Sequence, residues 1–180
     1  MLHSIVLLFA LLPHDVPRPD AGEATLNEQV LAFSQKNIGK KIGNGQCAGL
    51  AQEALEAAGA KQFFDYKEHP GAGDYVWGKL VYVVEAKEGV PTEEKTEGFE
   101  LEPGDIIQLR NATFVGNRGN RPYRMTAPHH TAVLLAVNKE GTKWNVIQQN
   151  QNGKHQVSKG IYEITDLKEG WLRVYRPQPK

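Results

Sequence analysis

Gly43-Asn44-Gly45-Gln46-Cys47-Ala48-Gly49-Leu50-Ala51-Gln52-Glu53-Ala54-Leu55-Glu56-Ala57-Ala58-Gly59 is the stretch that decides how this chain is read. Its Gly43-Asn44-Gly45 opening takes backbone angles closed to most residues, so the chain can turn sharply there. Behind the turn Cys47, Leu50, Ala51, Ala54, Leu55 and Ala58 fall on one helical stripe, and Gly59 ends it. The small alanines permit close approach to a sheet. Cys47, the only cysteine, stands at the helix N-terminus, where unpaired N–H groups and the positive end of the helix dipole favour a thiolate.

Upstream, Thr25-Leu26-Asn27-Glu28 has the spacing of a capping box, and Leu26, Val30 and Phe33 recur at helical intervals. A first helix from about Leu26 to Asn37, stopped by Gly39, is predicted. Downstream the chain reads as strands. Val76 to Val84 is rich in β-branched and aromatic residues, behind a glycine-containing loop at Gly71-Ala72-Gly73. Pro103-Gly104-Asp105 is a turn signal before Ile106-Ile107-Gln108-Leu109. Thr131 to Val137 is apolar enough for a central strand, and Trp171 to Tyr175 alternates as a final one. Trp144–Gln149 and His155–Ile161 flank Asn152-Gly153, which favours a type I′ turn. Asn111 to Pro128 shows no period and is expected to be a long loop. Helices first and an antiparallel sheet afterwards define an α+β fold.

The 180 residues suit one domain, and 21 basic side chains balance 21 acidic ones. That balance leaves no electrostatic footprint for nucleic acid. The apolar run Ile5 to Leu12 is too short to span a bilayer but has the length of a signal-peptide core, and Pro13 to Gly22 reads as a linker. The expected organisation is a signal peptide and linker over residues 1–22, then a folded domain over 23–180 with no membrane span. That implies a secreted or periplasmic protein, or a cytoplasmic one if the apolar run is not a signal. A single cysteine forbids an internal disulfide.

A cysteine nucleophile needs a base and a third group to orient that base. His129-His130 opens the apolar strand, and strand alternation sends the two rings to opposite faces; His130 is taken as the partner of Cys47. Gln148 and Asn150 share one face by the same alternation, with Gln149 on the other, so either of the first two can orient the ring. An oxyanion would meet the Cys47 N–H and a donor from the preceding turn. Gln46 and Asn150 are taken as the candidate substrate-binding residues. Each residue also has an ordinary role: a lone cysteine on a helix stripe is most often a buried hydrophobe. No Cys-x-x-Cys or His-Glu-x-x-His pattern occurs, so neither a metal nor another cofactor is implied.

At Gly45-Gln46-Cys47-Ala48-Gly49, Pro103-Gly104-Asp105-Ile106-Ile107, His130-Thr131-Ala132-Val133 and Gln148-Gln149-Asn150 the chain resembles the papain-like peptidoglycan hydrolases of the CHAP and NlpC/P60 group. The resemblance spans roughly Leu26 to Pro177. It implies helices packed on an antiparallel sheet, with Cys47 as nucleophile, His130 as general base, Gln148 orienting it and Asn150 at a further polar position. It implies cleavage of amide bonds in peptidoglycan stem peptides, by an amidase or an endopeptidase. Two residues depart from the family pattern: Gln46 stands where Asp is often found, and Gln148 where CHAP members commonly carry Glu. A glutamine accepts the imidazole N–H but stabilises imidazolium less than a carboxylate does. The alternative is a catalytically weak or inactive module of the same fold that holds cell-wall or other peptides.

Overall fold

The computed structural model describes residues 24–67 and 74–180. The signal-peptide and linker expectation, and the Gly71-Ala72-Gly73 loop, lie outside these residues. Helix α1 (Leu26–Lys36) starts as its sequence dictates: the Thr25 side chain accepts the Glu28 N–H at 3.2 Å, and Glu28 accepts the Thr25 N–H at 2.7 Å. Helix α2 (Cys47–Ala57) follows, with Gln46 as its extended N-cap.

The strands are β1 (Lys79–Lys87), β2 (Val90–Lys95), β3 (Ile106–Arg118), β4 (Arg121–Val137), β5 (Lys143–Gln148), β6 (Ser158–Glu163) and β7 (Leu167–Arg176). They form one seven-stranded antiparallel sheet in the order β2-β1-β7-β3-β4-β5-β6. The α+β expectation therefore holds.

Two cores lie on opposite faces of the sheet. On the helical face Val30 of α1 and Leu50, Ala51, Ala54 and Leu55 of α2 pack against Ile106, Val133 and Ile147. On the other, Ile107, Leu109, Leu134, Trp144, Val146, Leu172 and Val174 pack with Phe114 and Tyr162. Phe114 belongs to β3 and Tyr162 to β6, three places away in the sheet, yet their rings stack with centroids 5.7 Å apart. The sheet therefore curls on itself, as strand twist requires over so many strands.

The Asn111–Pro128 stretch is not a loop. It forms the outer halves of β3 and β4, paired from Ala112–Ala127 to Arg118–Arg121 around a Gly119-Asn120 turn. Its period was hidden by a change of face. Leu109 and Ala112 both point into the second core although an odd number of steps separates them. Asn111, at φ 48°, absorbs the difference. The turn at Asn152-Gly153 has both residues at positive φ, 53° and 73°, flanked by the Gln151–Lys154 bridge, which is the I′ geometry predicted for that dipeptide.

Candidate active site

Three segments converge where α2 begins: the turn before it, Gln149–Asn150 and His155. The turn Ile42–Gln46 closes with the Gly45 N–H on the Ile42 carbonyl at 2.9 Å and the Gln46 N–H on Asn44 Oδ1 at 2.9 Å. It delivers Cys47 to the first helical position, where the residue is 5% exposed. Side chains from the end of β5 hold this turn. Gln149 Oε1 accepts the Ile42 N–H at 2.7 Å, while Gln149 Nε2 donates to the Ile42 carbonyl at 2.9 Å and the Gln46 carbonyl at 2.8 Å. Asn150 Nδ2 donates to Gln46 Oε1 at 2.8 Å. His155 Nδ1 lies 3.1 Å from the Gly45 carbonyl, and since a carbonyl only accepts, that nitrogen carries the proton.

His130 is 8% exposed on β4, and its Nε2 lies 3.0 Å from Gln148 Oε1 on β5. The amide oxygen cannot donate, so Nε2 carries the hydrogen and neutral His130 keeps its lone pair on Nδ1. The same oxygen accepts the Tyr162 hydroxyl at 2.9 Å. Gln148 pairs with Ser158 on β6, and its side chain fits because the diagonal residue, opposite Val146, is Gly160: a Cβ there would overlap the Gln148 carboxamide. Burial lowers the His130 pKa below its ordinary value of 6.5; the Gln148 bond pulls the other way, and neighbouring His129 adds to the lowering. Burial raises the Tyr162 hydroxyl, and the charge of Cys47 raises it further. Tyr162 thus hydrogen-bonds the residue behind His130 and senses the charge of Cys47 through space.

The residues named from sequence separate into two contacts. His130 meets Gln148, and Gln46 meets Asn150. His129 is exposed, opposite Arg110. Asn150 does not share the Gln148 face, because β5 ends at Gln148 and Asn150 turns away at φ 63°. Gln148 is therefore the one that meets the ring. Sequence reasoning missed Gln149, Tyr162 and Gly160. Gln149 was legible as the residue on the face opposite Gln148, toward the helices; the other two carried no local signal. A cavity of about 140 Å³ opens beside His130, walled by Met125–His130 on one side and Asn150–Asn152 and Tyr162 on the other. Among the described residues no cluster of three or more His, Cys, Asp or Glu could hold a metal, and no helix is long and apolar enough to cross a membrane.

A family model described as the AIM3/BBC1 cysteine proteinase-fold domain matches residues 20–180. Altered inheritance of mitochondria protein 3 of Debaryomyces hansenii is 28% identical over 161 residues, which take in 88% of this chain and 16% of that protein. The chain thus spans a small part of that relative's length. Two solved structures are also similar: the crystal structure of Ly7917, with a TM-score of 0.47 over 86% of this chain, and that of Ly7917 with the hydrolyzing product of MDP, with 0.44 over 85%. Each is 16% identical, and this chain covers 63% of each. The family match supports the cysteine proteinase fold that the sequence resemblance implied, and does not reach its peptidoglycan-cleaving subgroup. With residues 20–180 matched, the chain belongs to the AIM3/BBC1 cysteine proteinase-fold domain family.

Proposed function

We propose that this domain is a peptide-holding module of the cysteine proteinase fold, in which Cys47, His130 and Gln148 form a weakly activated thiol centre. The observation that carries the reading is the neutral, shared acceptor behind the histidine. Gln148 Oε1 serves both the His130 ring and the Tyr162 hydroxyl, so no carboxylate stands there to stabilise an imidazolium. Burial disfavours the charged ring further. A thiolate–imidazolium pair is correspondingly poor, because its imidazolium half has neither a carboxylate nor solvent to support it. The cavity beside His130 offers amide, hydroxyl and ring groups to a peptide without a dominant charge. Binding of fluorescent peptides to wild type and Cys47→Ala tests the reading. It predicts similar affinities for both and cleavage too slow to follow on the same time scale. Failure of every peptide to bind the wild type would overturn it.

A second reading, thiol-dependent hydrolysis of amides such as those in peptidoglycan stem peptides, draws on the His130 tautomer. With Nε2–H committed to Gln148, Nδ1 keeps a lone pair that can take the thiol proton. Cys47 Sγ would then add to the amide carbonyl, and the amine would leave with that proton. Water would hydrolyse the thioester, releasing the acid and restoring the thiol. Muropeptides or peptides cut by wild type and left intact by Cys47→Ala would select this reading over the first.

A further inference from the structure

We propose that Gln149 is the positioning residue of the thiol centre: its buried carboxamide sets the direction of the Gln46–Cys47 peptide and ties it to the end of β5, whose Gln148 holds the His130 ring. The proposal rests on the reading that Cys47 and His130 form one centre.

Gln149 is fully buried, and its three hydrogen bonds all go to backbone of the turn that delivers Cys47. One of them fixes a direction as well as a place. The Gln46 carbonyl belongs to the same planar peptide as the Cys47 N–H, and in a trans peptide the two point opposite ways. Gln149 Nε2 holds that carbonyl inward at 2.8 Å, so the Cys47 N–H faces away from Gln149, outward from the first turn of α2. The fit is close: a Cβ on Gly49 would lie 3.1 Å from Asn44 Oδ1 and 3.7 Å from Gln149 Nε2. Gln148 and Gln149 are also consecutive at the end of β5. One side chain holds the imidazole and the next, on the opposite face, holds the cysteine turn. A movement of that strand end shifts both partners together, and cutting the Gln149 clamp separates them.

A buried glutamine of purely structural value would lower stability without altering how Cys47 senses His130. Gln62 supplies that comparison: it is also buried, and its Nε2 donates to the Gln52 carbonyl at 3.2 Å in the middle of α2. The experiment is iodoacetamide alkylation of Cys47 in the folded full chain, followed by intact mass between about pH 5 and 9. The variants are His130→Ala, Gln149→Met, their combination, and Gln62→Met alone and with His130→Ala. In the wild-type background His130→Ala is expected to slow alkylation about fivefold at neutral pH, and in the Gln149→Met background less than about twofold. The Gln62→Met background should keep the full wild-type factor. Equal factors in the wild-type and Gln149→Met backgrounds would overturn the positioning role while leaving the Cys47–His130 centre standing. A His130→Ala change with no effect in the wild-type background would instead defeat the centre itself, and the positioning role with it. Should Gln149→Met not fold, Gln149→Asn, which keeps the carboxamide but falls one methylene short of the turn, takes its place in the cycle.

Discussion

His130 donates its Nε2–H to the carboxamide oxygen of Gln148 across 3.0 Å, so a neutral group occupies the position behind the imidazole. Charging that position should change the thiol more than any other single substitution. Gln148→Glu places a carboxylate on the ring, raises the proton affinity of His130 and favours the thiolate–imidazolium pair. Alkylation of Cys47 at neutral pH should quicken by about tenfold, a one-unit shift in the balance of protonation states. An unchanged rate would mean that Gln148 does not govern the thiol.

Removing the acceptor should cost stability. Gln148→Ala leaves both the Tyr162 hydroxyl and the His130 N–H without their partner in a buried setting. Each unpaired buried group costs about 1–3 kcal/mol. Gly160→Ala attacks the same carboxamide from the neighbouring strand, because the new methyl overlaps it. Urea unfolding should show both variants destabilised, and the double variant less so than the sum of the two.

Stability should also fall on acidification below neutrality, in a window set by His130. Its folded pKa lies below the ordinary 6.5, so between the two values the unfolded chain binds more protons than the folded one. The contribution is present above about 6.5 and is lost as pH falls through the folded value. His130→Gln removes the group and should flatten the urea midpoint over that window; an unaltered slope would place the titration elsewhere.

A separate buried cluster anchors α1 to the sheet. Asp105, with no exposed surface, accepts Arg176 Nε at 2.6 Å, Asn27 Nδ2 at 2.9 Å and the Glu102 N–H at 2.8 Å. Arg176→Met leaves the carboxylate buried without its cation, and such losses cost about 3–5 kcal/mol. The thermal midpoint should drop, while the ratio of Cys47 alkylation with and without His130 should not move.

What was legible in the chain follows from how local each signal is. The capping box at Thr25–Glu28, the apolar stripe from Cys47 and the I′ dipeptide Asn152-Gly153 each act within a few residues, and each stands in the structure. The β3–β4 hairpin was unreadable because Asn111 switches the buried face in mid-strand, so no single alternation runs through it. β2 was missed because Val90-Pro91-Thr92-Glu93-Glu94-Lys95 is an exposed edge strand with no buried face to impose a pattern. At the site, strand alternation left Gln148 and Asn150 both open as partners of His130, and the resemblance pointed to Gln148, which is the one that meets the ring. Tyr162 and Gly160 depend on the register of β5 with β6, which a sequence does not display.

On the proposed reading, this fold holds a peptide beside a thiol too weakly activated to cut it quickly. The most direct measurement is a side-by-side titration and time course of one peptide library against wild type, Cys47→Ala and Gln148→Glu. Peptides that bind wild type and Cys47→Ala alike, with hydrolysis visible only in Gln148→Glu, are the predicted result. Rapid, Cys47-dependent cleavage by the wild-type chain would contradict it.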